Sequence, residues 1–262
     1  MKRYFTLWLV QLRASLQTSL QYRVDFVVSG AMSLFWLVWQ IMPAWMVWRL
    51  RPTVAGWTMP EAALVLAWFI FLRGILEGAV QPSILATVEH IRKGTLDFVL
   101  IKPADAQFLV STTKLEPWHV LDLFSGVAVA IFALSRLHHT PHASEIAVAF
   151  VLTLASAAML YAFSILVVSA AFWVVRLDNL IYLFNSVFDA ARWPMAVFTG
   201  FWRILFTFII PIIVMTSYPA MALTGALRLR TAAFAVLGAI TFVAISRMLW
   251  KRAIGHYTSA SS

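Results

Sequence analysis

The chain contains no cysteine, which excludes a disulfide framework and thiolate metal sites. It has no G-x-x-x-x-G-K-[ST] loop to cradle a nucleotide phosphate. Charge is scarce: Asp, Glu, Lys and Arg make up 12% of 262 residues, too few to cover a soluble domain. No internal repeat or low-complexity tract stands out. The opening Met1-Lys2-Arg3 leads into a periodic segment with no small-residue cleavage pattern, so the mature protein is expected to begin near Met1.

What is present is apolar surface. Hydrophobic residues account for 62% of the chain, with 12 Trp and 20 Phe. Apolar runs longer than about 18 residues recur along the whole length. This predicts an all-α, polytopic membrane protein with six spans, forming one domain over 1–262. The formal charge of +9 would suggest nucleic acid in a soluble protein. Here the basic residues gather at span ends, so the expected partner is the lipid bilayer and not nucleic acid.

On a helix over 2–23, Phe5, Trp8, Leu9, Leu12, Leu16 and Leu20 fall on one side, and Lys2, Arg3, Thr6, Arg13, Gln17 and Gln21 on the other, which predicts an interfacial helix. The first span is expected from Phe26 to Trp48, its far end weighted with Trp36, Trp39, Trp45 and Trp48, and the second from Glu61 to Val80. Arg73 and Glu77 lie one turn apart in the second, where each can neutralise the other. A polar stretch, Gln81 to Pro117, precedes the third span (Trp118 to Leu134). A loop with His138, His139, Pro141 and His142 leads to the fourth (Ile146 to Val175).

The fifth crossing has two readings. Leu177 to Val197 carries Asp178, Asn185, Asp189 and Arg192 on one helical stripe. Either it is a cytosolic amphipathic helix and Phe201 to Tyr218 is the span, or it is itself the span and Arg203 to Leu223 re-enters, broken by Pro211 and Pro219. The last span runs from Ala232 to Trp250 and stops at Lys251 and Arg252, with Ser259 to Ser262 as a loose tail.

Loop charges set the expected orientation. With the amino terminus in the cytoplasm, the inner side holds Lys2, Arg3, Arg13, Arg23, Arg92, Lys93, Lys102, Lys114, Arg176, Arg247, Lys251 and Arg252, against Arg49, Arg51, Arg136, Arg228 and Arg230 outside. Both termini and the polar stretch are then cytoplasmic.

In that stretch Pro82 can open a helix and Gly94 can close it. Ile84, Leu85, Val88 and Ile91 form an apolar side, and Glu89, Arg92 and Lys93 a charged one. A short helix standing across the ends of spans two and three would be placed to receive force from a soluble partner. The histidines of the outer loop lack an ordered surrounding that sequence can identify, so no metal site is expected. The Trp and Phe abundance is accounted for mainly by belts and packing.

The run Val88-Glu89-His90-Ile91-Arg92-Lys93-Gly94-Thr95-Leu96-Asp97-Phe98-Val99-Leu100-Ile101-Lys102-Pro103 resembles the cytoplasmic signature of ABC type-2 permeases, in which a basic-Gly-Thr-Leu-acidic stretch runs on to a Pro. More narrowly, the chain is similar to the six-span bacterial ABC-2 family transporter proteins. Phe172-Trp173 through Arg176-Leu177-Asp178-Asn179, Arg192-Trp193-Pro194, Ile210-Pro211, Tyr218-Pro219-Ala220 and the tail Tyr257 to Ser262 also match. The resemblance implies an interfacial first helix, a coupling helix over 82–103 with Ile84, Val88, Glu89, Arg92, Lys93, Gly94, Thr95, Leu96 and Asp97 facing an ATPase, and a re-entrant segment over 200–223. On that basis Leu177 to Val197 becomes the fifth span. Its stripe, with Arg73 and Glu77, faces either the pathway or a neighbouring helix. The resemblance further implies a cytosolic ATPase dimer that binds the ATP and Mg, a second permease as homodimer or heterodimer, no catalytic residue or cofactor in this chain, and export across the bacterial inner membrane. The rival functions are an ion-coupled secondary carrier acting alone, and a lipid-modifying membrane enzyme using His138, His139 or His142 with Glu145.

Overall fold

The computed structural model describes residues 2–21, 23–173 and 178–257. Val175, Arg176, Leu177, the tail Thr258 to Ser262, and the side chains of Lys2, Leu20, Arg23, Asp178 and Asn179 lie outside the described residues. The described chain is almost wholly helical; its one sheet pairs Thr53–Val54 with Trp57–Thr58 in a small hairpin.

Five described helices are long and apolar enough to cross a membrane: Val24–Leu50, Met59–Arg92, Pro117–Arg136, Ala143–Ala170 and Leu229–Gly255. Two shorter helices, Gly200–Ile209 and Ile212–Leu223, meet at 88°. Side-chain contacts decide how the remaining chain runs. The end of the fourth span lies beside the end of the last, with Phe172 against Trp250 at 5.9 Å and Trp173 against His256 at 5.8 Å between ring centres. Trp193 stacks on Trp48 at the opposite end, where the Trp48 indole donates to the Trp57 carbonyl at 3.1 Å. Between these points lie helix Asp178–Phe188 and the 3₁₀ turn Asp189–Arg192, so this segment leads toward the opposite end of the bundle.

The bent pair starts and finishes at that opposite end, because Gly225 approaches Glu145 and His139 so closely that a Cβ there would meet Glu145 Oε1 at 2.8 Å. Both ends of the pair thus lie at one end of the bundle. Its second arm is the most buried of the described helices, with Ile212, Ile213, Met215, Thr216, Ser217 and Ala220 at 0–1% exposure.

The second span is the central pillar. Leu64, Val65, Phe69 and Leu72 are fully buried, and the helix packs on the third span, the fourth and the Ile212–Leu223 arm. Gly126 of the third span lets it approach closely: a Cβ there would stand 2.9 Å from the Ala67 carbonyl and from Phe71. Gly74 and Gly78, four apart on the second span, do the same for Asp122 and His119. In the fourth span Thr153, Ser156, Ser164 and Ser169 donate to the carbonyls four residues back, which satisfies hydroxyls that no water would reach.

The first helix, Lys2–Gln21, turns Phe5, Leu9, Val10 and Leu16 outward and rests on the body through Gln11, Leu12, Ser15 and Ser19. A core helix would do the reverse. An apolar face directed away from the protein fits a helix lying in the bilayer surface.

One element differs from expectation. Pro82 does not open a separate helix; Met59–Arg92 is a single helix of 34 residues that passes through a π turn at Leu76–Val80. The physical reason lies in the proline itself. Lacking an N–H, Pro82 leaves the Gly78 carbonyl without its intrahelical donor, and the backbone N–H of Glu116 fills the vacancy at 2.7 Å. Ser83 Oγ adds a second staple, donating to the Lys114 carbonyl at 2.7 Å. The residues before the third span are thereby sewn to the second, and the π turn accommodates the ring without breaking the rod.

Candidate functional site: a projecting helix and an intramembrane charge cluster

At about 1.5 Å per residue the Met59–Arg92 rod is roughly 51 Å long, some 20 Å more than the hydrocarbon of a bilayer. The excess emerges at the end of the bundle that also holds both terminal helices. There Arg3 donates to the Pro103 carbonyl, the Asp105 N–H donates to Tyr4 Oη at 3.3 Å, and Arg247 of the last span forks onto Asp105.

Gly94, at φ +66°, ends the rod. Its N–H donates to the Ile91 carbonyl at 3.2 Å and that of Thr95 to His90 at 2.9 Å, the paired closure of a Schellman motif. His90 Nδ1 and Thr95 Oγ1, 2.8 Å apart, close it with a polar contact. The structure divides the sequence-nominated residues here. Ile84, Val88 and Leu96 are buried and hold the segment to the body, whereas Glu89, Arg92 and Lys93 are exposed. Glu89 and Lys93 pair at 2.6 Å. Phe98 and Ile101, 68% and 77% exposed, add apolar surface to the same tip; Asp97 begins the short helix Asp97–Leu100 that carries Phe98 and ends at Ile101.

Beyond the tip, Asp105 caps helix Ala106–Ser111 by accepting from the Phe108 N–H at 3.1 Å. The Arg247 fork, followed by that amide, holds its carboxyl below the usual range. Arg247 also donates to Gln107 Oε1 at 2.6 Å, and Gln107 Nε2 donates to Tyr161 Oη at 3.0 Å, so loop, fourth span and last span are clasped together.

The second cluster lies inside the spans. Arg73 Nε donates to Glu77 Oε1 at 2.8 Å, the pair expected from its spacing, and Arg73 Nη1 reaches Asp189 at 3.1 Å. Arg192 closes on Asp189 at 2.9 Å and lies over the Phe69 ring at 5.3 Å. Two predicted pairs are therefore one network across the second span and the Asp178–Arg192 segment. Asn185, half-buried a turn earlier on the stripe, stands outside it.

Sequence reasoning missed the other half. His119 Nδ1 and Asp122 Oδ2 are 2.6 Å apart, and Ser33 of the first span donates to Asp122 at 3.1 Å. Glu77 Oε2 is 3.7 Å from His119 Nδ1, and Glu116 Oε2 is 3.8 Å from its Nε2. The signal was the Gly74-x-x-x-Gly78 spacing, which lets the third span bring His119 and Asp122 against Glu77. Each of Glu77, His119 and Asp122 offers a ligand atom within 4.8 Å of the others, although bonds to Arg73, Ser33 and one another already engage them. In the outer loop, Glu145 accepts from the His142 N–H and pairs with His139, both at 2.8 Å, so its carboxylate serves to cap the fourth span.

A helical bundle with several membrane-length apolar helices, a charged tip and an ion-pair network between its helices is a polytopic all-α membrane protein. The sequence model of the ABC-2 family transporter proteins matches residues 34–261, and the chain belongs to that family. It is thus a membrane permease of the ABC-transporter type, a class that typically works with an ATPase partner. No curated protein and no solved structure matches the chain.

Proposed function

We propose that this permease exports its cargo from a bacterial inner membrane, with both termini cytoplasmic and a cytosolic ATPase dimer driving it through the projecting tip. A second permease, identical or different, completes the pathway. The observation that carries this reading is the unbroken Met59–Arg92 rod. A push on Glu89, Arg92 and Lys93 is delivered along the most central helix of the bundle, as a rigid-body movement. ATP and Mg belong to the partner, and no residue of this chain performs covalent chemistry.

The test is co-purification. Charge reversal at Glu89 or Asp97 is expected to strip the ATPase from the complex while membrane insertion is unchanged; full retention by both variants overturns the docking role. The acids and histidine beside Arg73 favour a second reading, an ion-coupled carrier acting alone, because intramembrane acids of this kind serve proton and ion relays. Ion-gradient-driven uptake by the purified chain in liposomes without nucleotide would select it.

A further inference from the structure

A cavity of about 430 Å³ opens beside the charge cluster, walled by Arg73, Glu77, His119 and Asp122 on one side and by Met32 and Trp36 of the first span on the other. A second, of about 350 Å³, lies between the interfacial helix and the start of the first span, with Ser15, Ser19, Asp25, Lys114 and Glu116 in its wall. Trp118 lines both. The two are therefore adjacent, one at the depth of the interfacial helix and one deeper along the spans.

Three properties select what would bind. Four carboxylates, Asp25, Glu77, Glu116 and Asp122, face Arg73, Lys114 and the His119 imidazole, which lies 3.7, 3.8 and 2.6 Å from Glu77, Glu116 and Asp122, so the acids outnumber the bases even with the ring protonated. Arg192 does not change that balance, because Asp189 neutralises it at 2.9 Å. Excess negative charge within a bilayer is costly unless a cation meets it. Tryptophan faces, here Trp36 and Trp118, attract cations further. The deeper cavity has the size of an organic-ligand pocket, far larger than a bare metal ion requires. Met32 and Trp36 are 52% and 54% exposed, so that cavity opens sideways to the apolar surroundings of the first span.

We infer that the two cavities form one lateral track for a lipophilic organic cation, which enters at the leaflet surface, passes Trp118 and comes to rest in the deeper cavity with its charge against the Glu77–His119–Asp122 wall. This names the cargo class of the permease and, as cargo, rests on the transport reading; binding itself needs no ATPase.

The experiment uses the full chain in lipid nanodiscs with two probes of one shape and opposite sign, tetraphenylphosphonium and tetraphenylborate, empty discs being subtracted. Saturable binding of the phosphonium is expected, without competition by the borate. The double variant Glu77→Gln with Asp122→Asn should weaken it at least about tenfold. Because that variant also disturbs ion pairs, Ser29→Leu, at a further wall residue of the deeper cavity, which narrows that cavity without touching a charge, should weaken binding in a protein of unchanged thermal stability. Equal binding of both probes, or undiminished phosphonium binding by Ser29→Leu, overturns the proposal. Either result leaves the Glu89 co-purification outcome as it was, so the two readings fail separately.

Discussion

The protein ties its helices with two arginine–carboxylate networks, and they differ less in geometry than in surroundings. At the bundle end, Arg247 forks onto Asp105 with side chains 37% and 35% exposed; inside the spans, Arg73 holds Glu77 with 29% and 30%. These figures are close, yet they describe different media. Asp105 sits in a loop between spans and is exposed to water, whereas Arg73 lies on a membrane-crossing helix and is exposed to lipid and a small cavity. Fractional exposure measures open space, not solvation, so equal exposure does not mean equal dependence on the partner.

That contrast can be broken from either side. Arg73→Ala should have the largest effect, because it leaves Glu77 without its arginine inside the spans while Asp189 retains only Arg192; a loss of about 2–3 kcal/mol is expected in reversible unfolding from mixed micelles. Arg247→Ala should cost at most about 1 kcal/mol, since water re-solvates Asp105.

Acid should distinguish the end clasp further. Asp105 has a lowered native pKa, chiefly from the Arg247 hydrogen bonds, so its stabilisation is complete above the ordinary carboxylate range near pH 4 and is lost as pH falls through the lowered value. Cross-linking of cysteines introduced at the loop and at the end of the last span should follow that curve, and Asp105→Asn should flatten it. The smallest effect is that of salt: about 1 M should remove a few tenths of a kcal/mol from the Arg247 clasp and leave the Arg73 network unmoved, as unfolding at two salt concentrations would show.

The fold was largely legible because each crossing needs its own apolar run, and such runs survive in a sequence whatever they pack against. The Arg73–Glu77 pair was legible for a similar reason: four residues on a helix is a local geometry. His119 and Asp122 were not, since their place depends on how closely the third span approaches the second, and the glycines that permit it read as ordinary small residues in an apolar run. Proline after a π turn and proline opening a helix look alike in sequence. Only the Gly78 carbonyl, filled by an amide 38 residues away, separates them. The course of the Asp178–Arg192 segment was likewise legible only from a distant contact, that of Trp48 with Trp193.

The stitch from Gly78 to Glu116 has a mechanical corollary. A shaft sewn to its neighbour near the bilayer boundary has a fulcrum there, so sideways motion of the protruding Arg92 tip is balanced by a swing of the buried arm in the opposite sense, and the mouth of the bundle around Met59 and the Thr53–Thr58 hairpin would open or narrow as the tip is moved.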